Sequence, residues 1–438
     1  MSTLDLAQTR PHAPSEGGQK IDMKKRAVAV GIGNFMEWFD FAIYGYFAAT
    51  IGQTFFPSAA PGVSLLSSLA VFAVGFLSRP LGAVVLGPVG DRMGRRAVLI
   101  ITVFGMGLVT TLIGLLPGYA AIGIAAPILL IVLRFLQGMM VGGEWSSAGI
   151  YIVESAPSHR RATAASVITG TAGIAFLTGT ALAATLSATL TPAELASWGW
   201  RLPFIASIIM AAVAMYIRRK LSDTPVYVEL EHRRATGNVQ EVARGEKVRA
   251  FILSFAFASL FGVSLYYFIT YANNHLTQTV GLSKSSSLWL CSIALVIYTL
   301  SHPIIGLLSD RVGRRRLLLF AAGGLTLLAY PIFLMMNTGS TALILTALAI
   351  LVAITAVMDV VLLVEVFPAS IRSTGAAVGH NVALAVLAGP GPFLAAALIS
   401  MTGDPNIPAW YLAGVSLACF LVLWFMLPET RDKDITQG

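Results

Sequence analysis

Twelve apolar stretches, each about as long as a bilayer-crossing helix, occupy most of this 438-residue chain. They run over 25–50, 65–88, 97–116, 126–150, 163–188, 200–217, 250–273, 286–307, 317–336, 341–364, 374–400 and 409–427. Hydrocarbon offers no hydrogen-bond partner to an open backbone, so segments apolar on every side at this length must be helices. Only 11% of the residues are charged, against about 25% in soluble domains. Too few polar side chains remain to coat a water-soluble surface. This excludes a disordered chain, a nucleic-acid-binding domain and a cytosolic enzyme. The expected fold is an all-α membrane protein of twelve transmembrane helices in two six-helix halves.

The net charge of +8 marks topology. All Lys and Arg except Arg79, Arg134, Arg201 and Lys284 fall in alternate connections and in the two tails. By the positive-inside rule those segments face the cytoplasm, together with both termini. The chain divides into a disordered tail (1–23), an N-terminal half (24–217), a cytoplasmic linker (218–249), a C-terminal half (250–427) and a short tail (428–438). The linker is too short for a catalytic domain, and the sequence holds no HExxH, GxSxG or P-loop pattern, so no enzyme is expected. Cys291 and Cys419 sit in apolar runs and read as packing residues. Neither a metal nor a cofactor is expected beyond protons as the coupling ion, and nucleic acid has no place among the partners.

Each half repeats the other. Gly87-Pro-Val-Gly-Asp91-Arg92-Met-Gly94-Arg95-Arg96 follows the second span, and Gly306-Leu-Leu-Ser-Asp310-Arg311-Val-Gly313-Arg314-Arg315 follows the eighth. Glu154 to Arg160 after span four matches Glu365 to Arg372 after span ten. Such internal duplication is a property of transporters that work by alternating access. Physically, Asp91 can pair with bases or sit at a helix N-terminus, and Gly94 permits a tight turn. Gly87, Asp91, Arg92, Gly94 and Arg95, with Asp310, Arg311, Gly313 and Arg314, are therefore expected to form a latch that breaks when the protein opens to the cytoplasm.

Twelve spans with G-x-x-x-D-R-x-G-R-R in both halves resemble the major facilitator superfamily, over about residues 24–430. Gly33-Asn34-Phe35-Met36-Glu37-Trp38-Phe39-Asp40-Phe41, Arg79-Pro80-Leu81-Gly82, Arg134-Phe-Leu-Gln137-Gly138-Met-Met-Val-Gly142-Gly143-Glu144 and Gly199-Trp200-Arg201-Leu-Pro203-Phe204 look like its metabolite:proton symporter family. Pro117 to Pro127, Tyr267-Phe-Ile-Thr270 and Thr402-Gly403-Asp404 are similar to the citrate and tricarballylate symporters. The resemblance implies a bacterial inner (plasma) membrane protein, a monomer, carrying a small organic anion with protons.

An ionised side chain at mid-bilayer costs on the order of 3 kcal/mol and usually faces a cavity with a partner. Five such residues stand out: Glu37, Asp40, Arg79, Arg134 and Glu144. At ~1.5 Å per residue, Glu37 and Asp40 lie roughly 16 and 21 Å past Arg26, and the other three fall at similar depth. Asn34, Glu37, Phe41 and Tyr44 share one stripe of span one, while Arg134, Gln137, Val141 and Glu144 share a face of span four. In the superfamily fold both spans line the central cavity, and an acid on span one facing an arginine on span four is a proton-coupling pair. Asp40, Glu37 and Glu144 are thus the proton candidates, and Arg134, Arg79 and Gln137 the substrate candidates. Arg79 equally suits a structural role beside Pro80, and Glu144 could pair with Arg79 or Arg134. Arg201, beside two tryptophans, reads as an interfacial anchor.

From the C-terminal half, an α-helical stripe of span seven brings Tyr267, Thr270, Tyr271 and Asn274 together, and span eleven carries His380 and Asn381. Tyr267, Tyr271, Asn274, His380 and Asn381 are the substrate candidates there. Asp359 in span ten has no partner legible in the sequence. Gly389-Pro390-Gly391-Pro392 breaks span eleven. Two arginines against a mostly uncharged half suit a di- or tricarboxylate such as citrate better than a sugar. The alternatives are a zwitterionic compatible solute (proline or a betaine) or an aromatic acid. The zwitterion ranks lower because osmosensory relatives carry a long C-terminal coiled coil, whereas this sequence stops ten residues after Pro428. Drug export ranks lower still, since span five lacks a Gly-Pro motif.

Overall fold

A computed structural model describes residues 16–58, 61–238, 241–336, 341–404 and 406–436, and every regular element among them is helical. Among the described residues, ten helices are long and apolar enough to cross a membrane by length and composition alone. Two further spans escape that test for physical reasons. Span one, Glu16–Phe55, carries Glu37 and Asp40 in its middle. Span eleven is interrupted: Arg372–Ala383 leads into a π turn, Leu384–Ala388, and then Gly391–Thr402 beyond the Gly-Pro break. With these the twelve expected transmembrane helices are complete. Leu327, Met401 and Phe425 are 75%, 83% and 79% exposed, which suits a surface bathed in lipid rather than water.

The remaining spans are Pro61–Leu77 with Arg79–Arg92 (two), Arg95–Leu115 (three), Ala125–Glu154 (four), Arg161–Thr189 (five) and Arg201–Arg219 (six). After a linker helix, Pro225–Ala235, come Arg244–Tyr266 (seven, continuing through Tyr267–Tyr271 and Ala272–Gln278) and Lys284–Val312 (eight). Arg314–Met335 (nine), Thr341–Val366 (ten) and Ile407–Met426 (twelve) complete the set. Gly94 and Gly313 join the second span of each half to the third at φ of 93° and 105°, a region closed to side-chain-bearing residues without strain. That is why the repeat keeps glycine there.

Three features depart from expectation. Span one begins at Glu16, inside the stretch 1–23 read as a disordered tail; residues 1–15 lie outside the described residues. Arg218, assigned to the cytoplasmic linker, ends span six and is fully buried. The middle of span seven, Tyr267–Tyr271, is a π turn, so each side chain beyond it is displaced from its α-helical stripe.

Candidate functional site

Glu37, Asp40, Arg79, Arg134 and Glu144 are all buried within the N-terminal half, none more than 3% exposed. The structure sorts them into three groups. Glu144 pairs with neither Arg79 nor Arg134 but with Arg218, at 2.5 Å. Thr102 donates to the same carboxylate, and Arg218 also donates to the carbonyls of Ala29 and Leu99. Every partner named here comes from within the half, so the pair ties span four to spans one, three and six. It could not be read from the sequence because Arg218 sits in a run of bases at a helix end.

Asp40 lies among four helices. Thr110 of span three donates to Oδ2, Gln137 Nε2 of span four donates to the same oxygen at 2.8 Å, and Ser207 of span six reaches Oδ1 at 3.5 Å. Arg134 donates to Gln137 Oε1, so a side-chain amide relays between acid and base. The Arg134 guanidinium lies 3.5 Å from the centre of the Tyr44 ring, and its Nε and Nη2 lack hydrogen-bond partners. The expected face-to-face approach of Asp40 and Arg134 is thus mediated by Gln137. Thr110 and Ser207 were missed because isolated hydroxyls on other spans carry no periodic signal.

Glu37 and Arg79 form the third group. Arg79 Nη2 stands 3.7 Å from Glu37 Oε1, beyond hydrogen-bond reach. Both carboxylate oxygens of Glu37, Nε and Nη2 of Arg79 and Nε1 of Trp38 are buried without hydrogen-bond partners. The Arg79 guanidinium carbon lies 4.6 and 4.4 Å from the ring centres of Phe41 and Phe76, which adjoin one another. Buried charges are normally saturated with hydrogen bonds. Here an acid and a base stand opposed with these atoms unused, and the indole N–H of the residue next to the acid is unused as well. An apolar groove of about 770 Å³ beside Phe251, Trp410 and Cys419 contains no charged lining and is separate from this place.

The C-terminal candidates divide differently. Tyr267 donates to the Pro408 carbonyl at 2.6 Å and stacks with Tyr411, while Tyr271 packs on Tyr267 and Phe333. Both rings pack within their own half, against residues of spans nine and twelve. The Asn274 side chain lies outside the described residues. His380 and Asn381 do reach the other half. Asn381 Nδ2 donates to the Gly142 carbonyl at 2.8 Å, and His380 stacks on Trp145. Asp359 has partners the sequence did not reveal, His380 and Trp145. Arg201 bonds the carbonyls of Gly114 and Leu116 and lies over Trp200.

The repeated motif joins the halves at one face. Asp91 accepts from Ser373 N (2.9 Å), Thr374 N (2.9 Å) and Thr374 Oγ1 (2.6 Å), and so caps span eleven. Asp310 does the same for span five through Ala162 N, Thr163 N and Thr163 Oγ1, at 3.0, 2.9 and 2.7 Å. A Cβ on Gly87 would lie 2.7 Å from Thr374 Cα, which explains the glycine there. Arg95 bonds Glu154 and Arg314 bonds Glu365. Across the divide, Arg372 meets Glu154 at 2.6 Å and Arg161 meets Glu365 at 3.9 Å. Two neighbours went unread: Asp223 and Glu429 cap spans three and nine through the backbone N–H groups of Arg95 and Arg314. Arg92 and Arg311 differ from the latch expectation. Both side chains are exposed and make no side-chain bond among the described residues, while their carbonyls accept from Tyr227 and Arg431.

Twelve spans in two related halves, buried charges at mid-depth and a duplicated charge cluster at one face define a secondary transporter. The Major Facilitator Superfamily model matches residues 30–389 and 252–438, and the chain belongs to that family. It is 33% identical over 427 residues to the proline/betaine transporter of Escherichia coli (strain K12), covering 94% of this chain and 85% of that one. The corresponding protein of Salmonella typhimurium (strain LT2) is 32% identical with the same coverage. In fold the chain is similar to the proton:xylose symporter XylE bound to 6-bromo-6-deoxy-D-glucose, with a TM-score of 0.80, 17% identity and coverage of 96% of this chain and 98% of that one. The expectation of citrate finds no support in these relatives.

Proposed function

We propose that this chain couples the uptake of a small zwitterion, of the proline and betaine kind, to protons across a bacterial inner membrane, with the motif face toward the cytoplasm. The observation that carries this reading is the Glu37–Arg79 pair, 3.7 Å apart with its hydrogen-bonding atoms unused. A zwitterion complements it in both signs. Its carboxylate takes Arg79, its ammonium or quaternary ammonium takes Glu37, and Trp38, Phe41 and Phe76 supply aromatic faces of the sort that hold such cations. Charge accounting favours a zwitterion over a tricarboxylate. With Glu144 neutralised by Arg218, two acids and two bases remain, and a neutral cargo leaves them matched. Three added negative charges would face guanidiniums already opposed by acids.

Asp40 is the proton carrier in this scheme. Protonation there weakens the acceptor that orients Gln137, and Gln137 in turn holds Arg134, so proton occupancy alters the charge that the chamber presents to the cargo. Binding of one then favours binding of the other. The membrane potential drives each net charge inward with about 2.3 kcal/mol per 100 mV.

The test is uptake into proteoliposomes of labelled glycine betaine, proline, citrate and benzoate under an imposed pH gradient. Betaine or proline should accumulate and citrate should not. Glu37→Gln should raise KM about thirty- to hundredfold, the equivalent of losing roughly 2–3 kcal/mol of desolvated charge pairing. Asp40→Asn should abolish gradient-driven accumulation while exchange at equal pH persists. Accumulation of citrate but not betaine, with Glu37→Gln transporting normally, would end this reading.

A further inference from the structure

The mid-membrane contact between the halves centres on one tryptophan. Trp145 of span four packs its indole against residues of the opposite half. It stacks on Phe261 at 5.6 Å with the rings 9° apart, and on His380 at 5.9 Å. Its Nε1 donates to Asp359 Oδ2 at 3.0 Å. The other oxygen of Asp359 meets His380 Nδ1 at 3.2 Å. Trp145, Asp359 and His380 are 3%, 0% and 2% exposed. Asp359 thus has a partner on each oxygen, one of them the indole N–H of the opposite half.

The depth of this contact is informative. Asp359 lies about 9 Å before Glu365 along its helix, and His380 about 12 Å past Arg372. Glu37 lies about 16 Å past Arg26 on the same scale. The indole therefore sits between the Glu37–Arg79 pair and the motif face. It also touches the site's own wall, since Trp38, next to Glu37, packs edge-on against Trp145 at 5.6 Å.

We propose that Trp145 is the inner gate of the transport path, with Asp359 and His380 as its socket. The proposal rests on alternating access by two halves, as set out above. While the motif face is closed, the indole plugs the floor of the chamber, and its bond to Asp359 holds the halves together in a dry place where a charged acceptor binds strongly. When the halves part at that face, Trp145 must withdraw from the Phe261–His380 stack and give up Asp359. Asp359 is thus a positioning residue for the gate and touches no substrate. Trp38 links the site to the gate, because it follows Glu37 directly in span one and packs against Trp145.

The gate predicts a conformational change that can be read without any cargo. Ala377 lies one turn from Asn381, on the span-eleven face that meets span four, and is 1% exposed. A cysteine placed there by Ala377→Cys, in full-length protein with Cys291→Ala and Cys419→Ala, reports opening of the motif face through its rate of maleimide labelling in nanodiscs. Trp145→Phe keeps the stack and removes the N–H, and should raise that rate about tenfold. Asp359→Asn keeps an acceptor without its charge and should raise it about threefold. The double variant should match Trp145→Phe alone, because both changes act on the same bond, one removing it and the other weakening it. Unchanged labelling in Trp145→Phe, or effects of the two variants that multiply independently, overturns the gate. If Trp145→Phe fails to assemble, unchanged labelling in Asp359→Asn overturns it equally. Binding of labelled glycine betaine to the same samples separates the two readings: altered labelling without betaine binding keeps the gate and removes the zwitterion.

Discussion

Replacing Asp91 by Asn should loosen the motif face, and the structure sets the size of the effect. Asp91 holds two backbone N–H groups and one hydroxyl of span eleven at 2.6–2.9 Å, all from the opposite half. Asn has one acceptor oxygen for these donors, and its NH2 group points at an N–H that wants an acceptor. Hydrogen bonds to a charged group contribute about 1.5–3 kcal/mol each, and a carboxylate at a helix N-terminus adds about 0.3–1 kcal/mol. Opening returns the freed N–H groups to water, so the change on substitution is set at about 2 kcal/mol rather than the gross sum. At about 1.4 kcal/mol per factor of ten, the open population rises about thirtyfold. The assay is the labelling rate of the cysteine at position 377, which follows the open population when opening is fast relative to labelling. Asp310→Asn, whose three bonds to span five mirror those of Asp91, should give a similar factor. Labelling of both variants within twofold of the parent would refute the view that these caps hold the halves together.

Other outcomes follow from the same geometry. Arg218→Ala leaves Glu144 buried without a counter-charge and should cost about 3–5 kcal/mol, seen as a large fall in the unfolding midpoint in detergent. Arg218→Met with Glu144→Gln should recover most of it, and equal stability of the single and double variants would contradict the pairing. Lys433, outside the membrane, is held below the usual lysine range by burial and then by Arg372, and it donates to the Glu365 carbonyl at 2.8 Å. The docked tail therefore binds fewer protons than a released one, and docking strengthens as pH rises toward the ordinary lysine value. Limited proteolysis of the tail should slow with rising pH, and Lys433→Met should remove that dependence.

Sequence alone determined the twelve spans, the duplication and the depth of the charged residues. These are local properties: a lipid-length helix satisfies its own backbone, and residue count along it measures depth. The motif's glycines and aspartates were legible for the same reason, since a turn at positive φ and a helix cap each need one residue type. Tertiary structure decided the pairings. Glu144 found Arg218 rather than Arg79, Gln137 came between Asp40 and Arg134, and Asp359 found Trp145, because such contacts depend on how helices distant in sequence are rotated and packed. The π turn of span seven shows the limit most directly. One extra residue in a turn shifts the side chains beyond it from the register that α-helical spacing assigns them, and only the folded backbone records it.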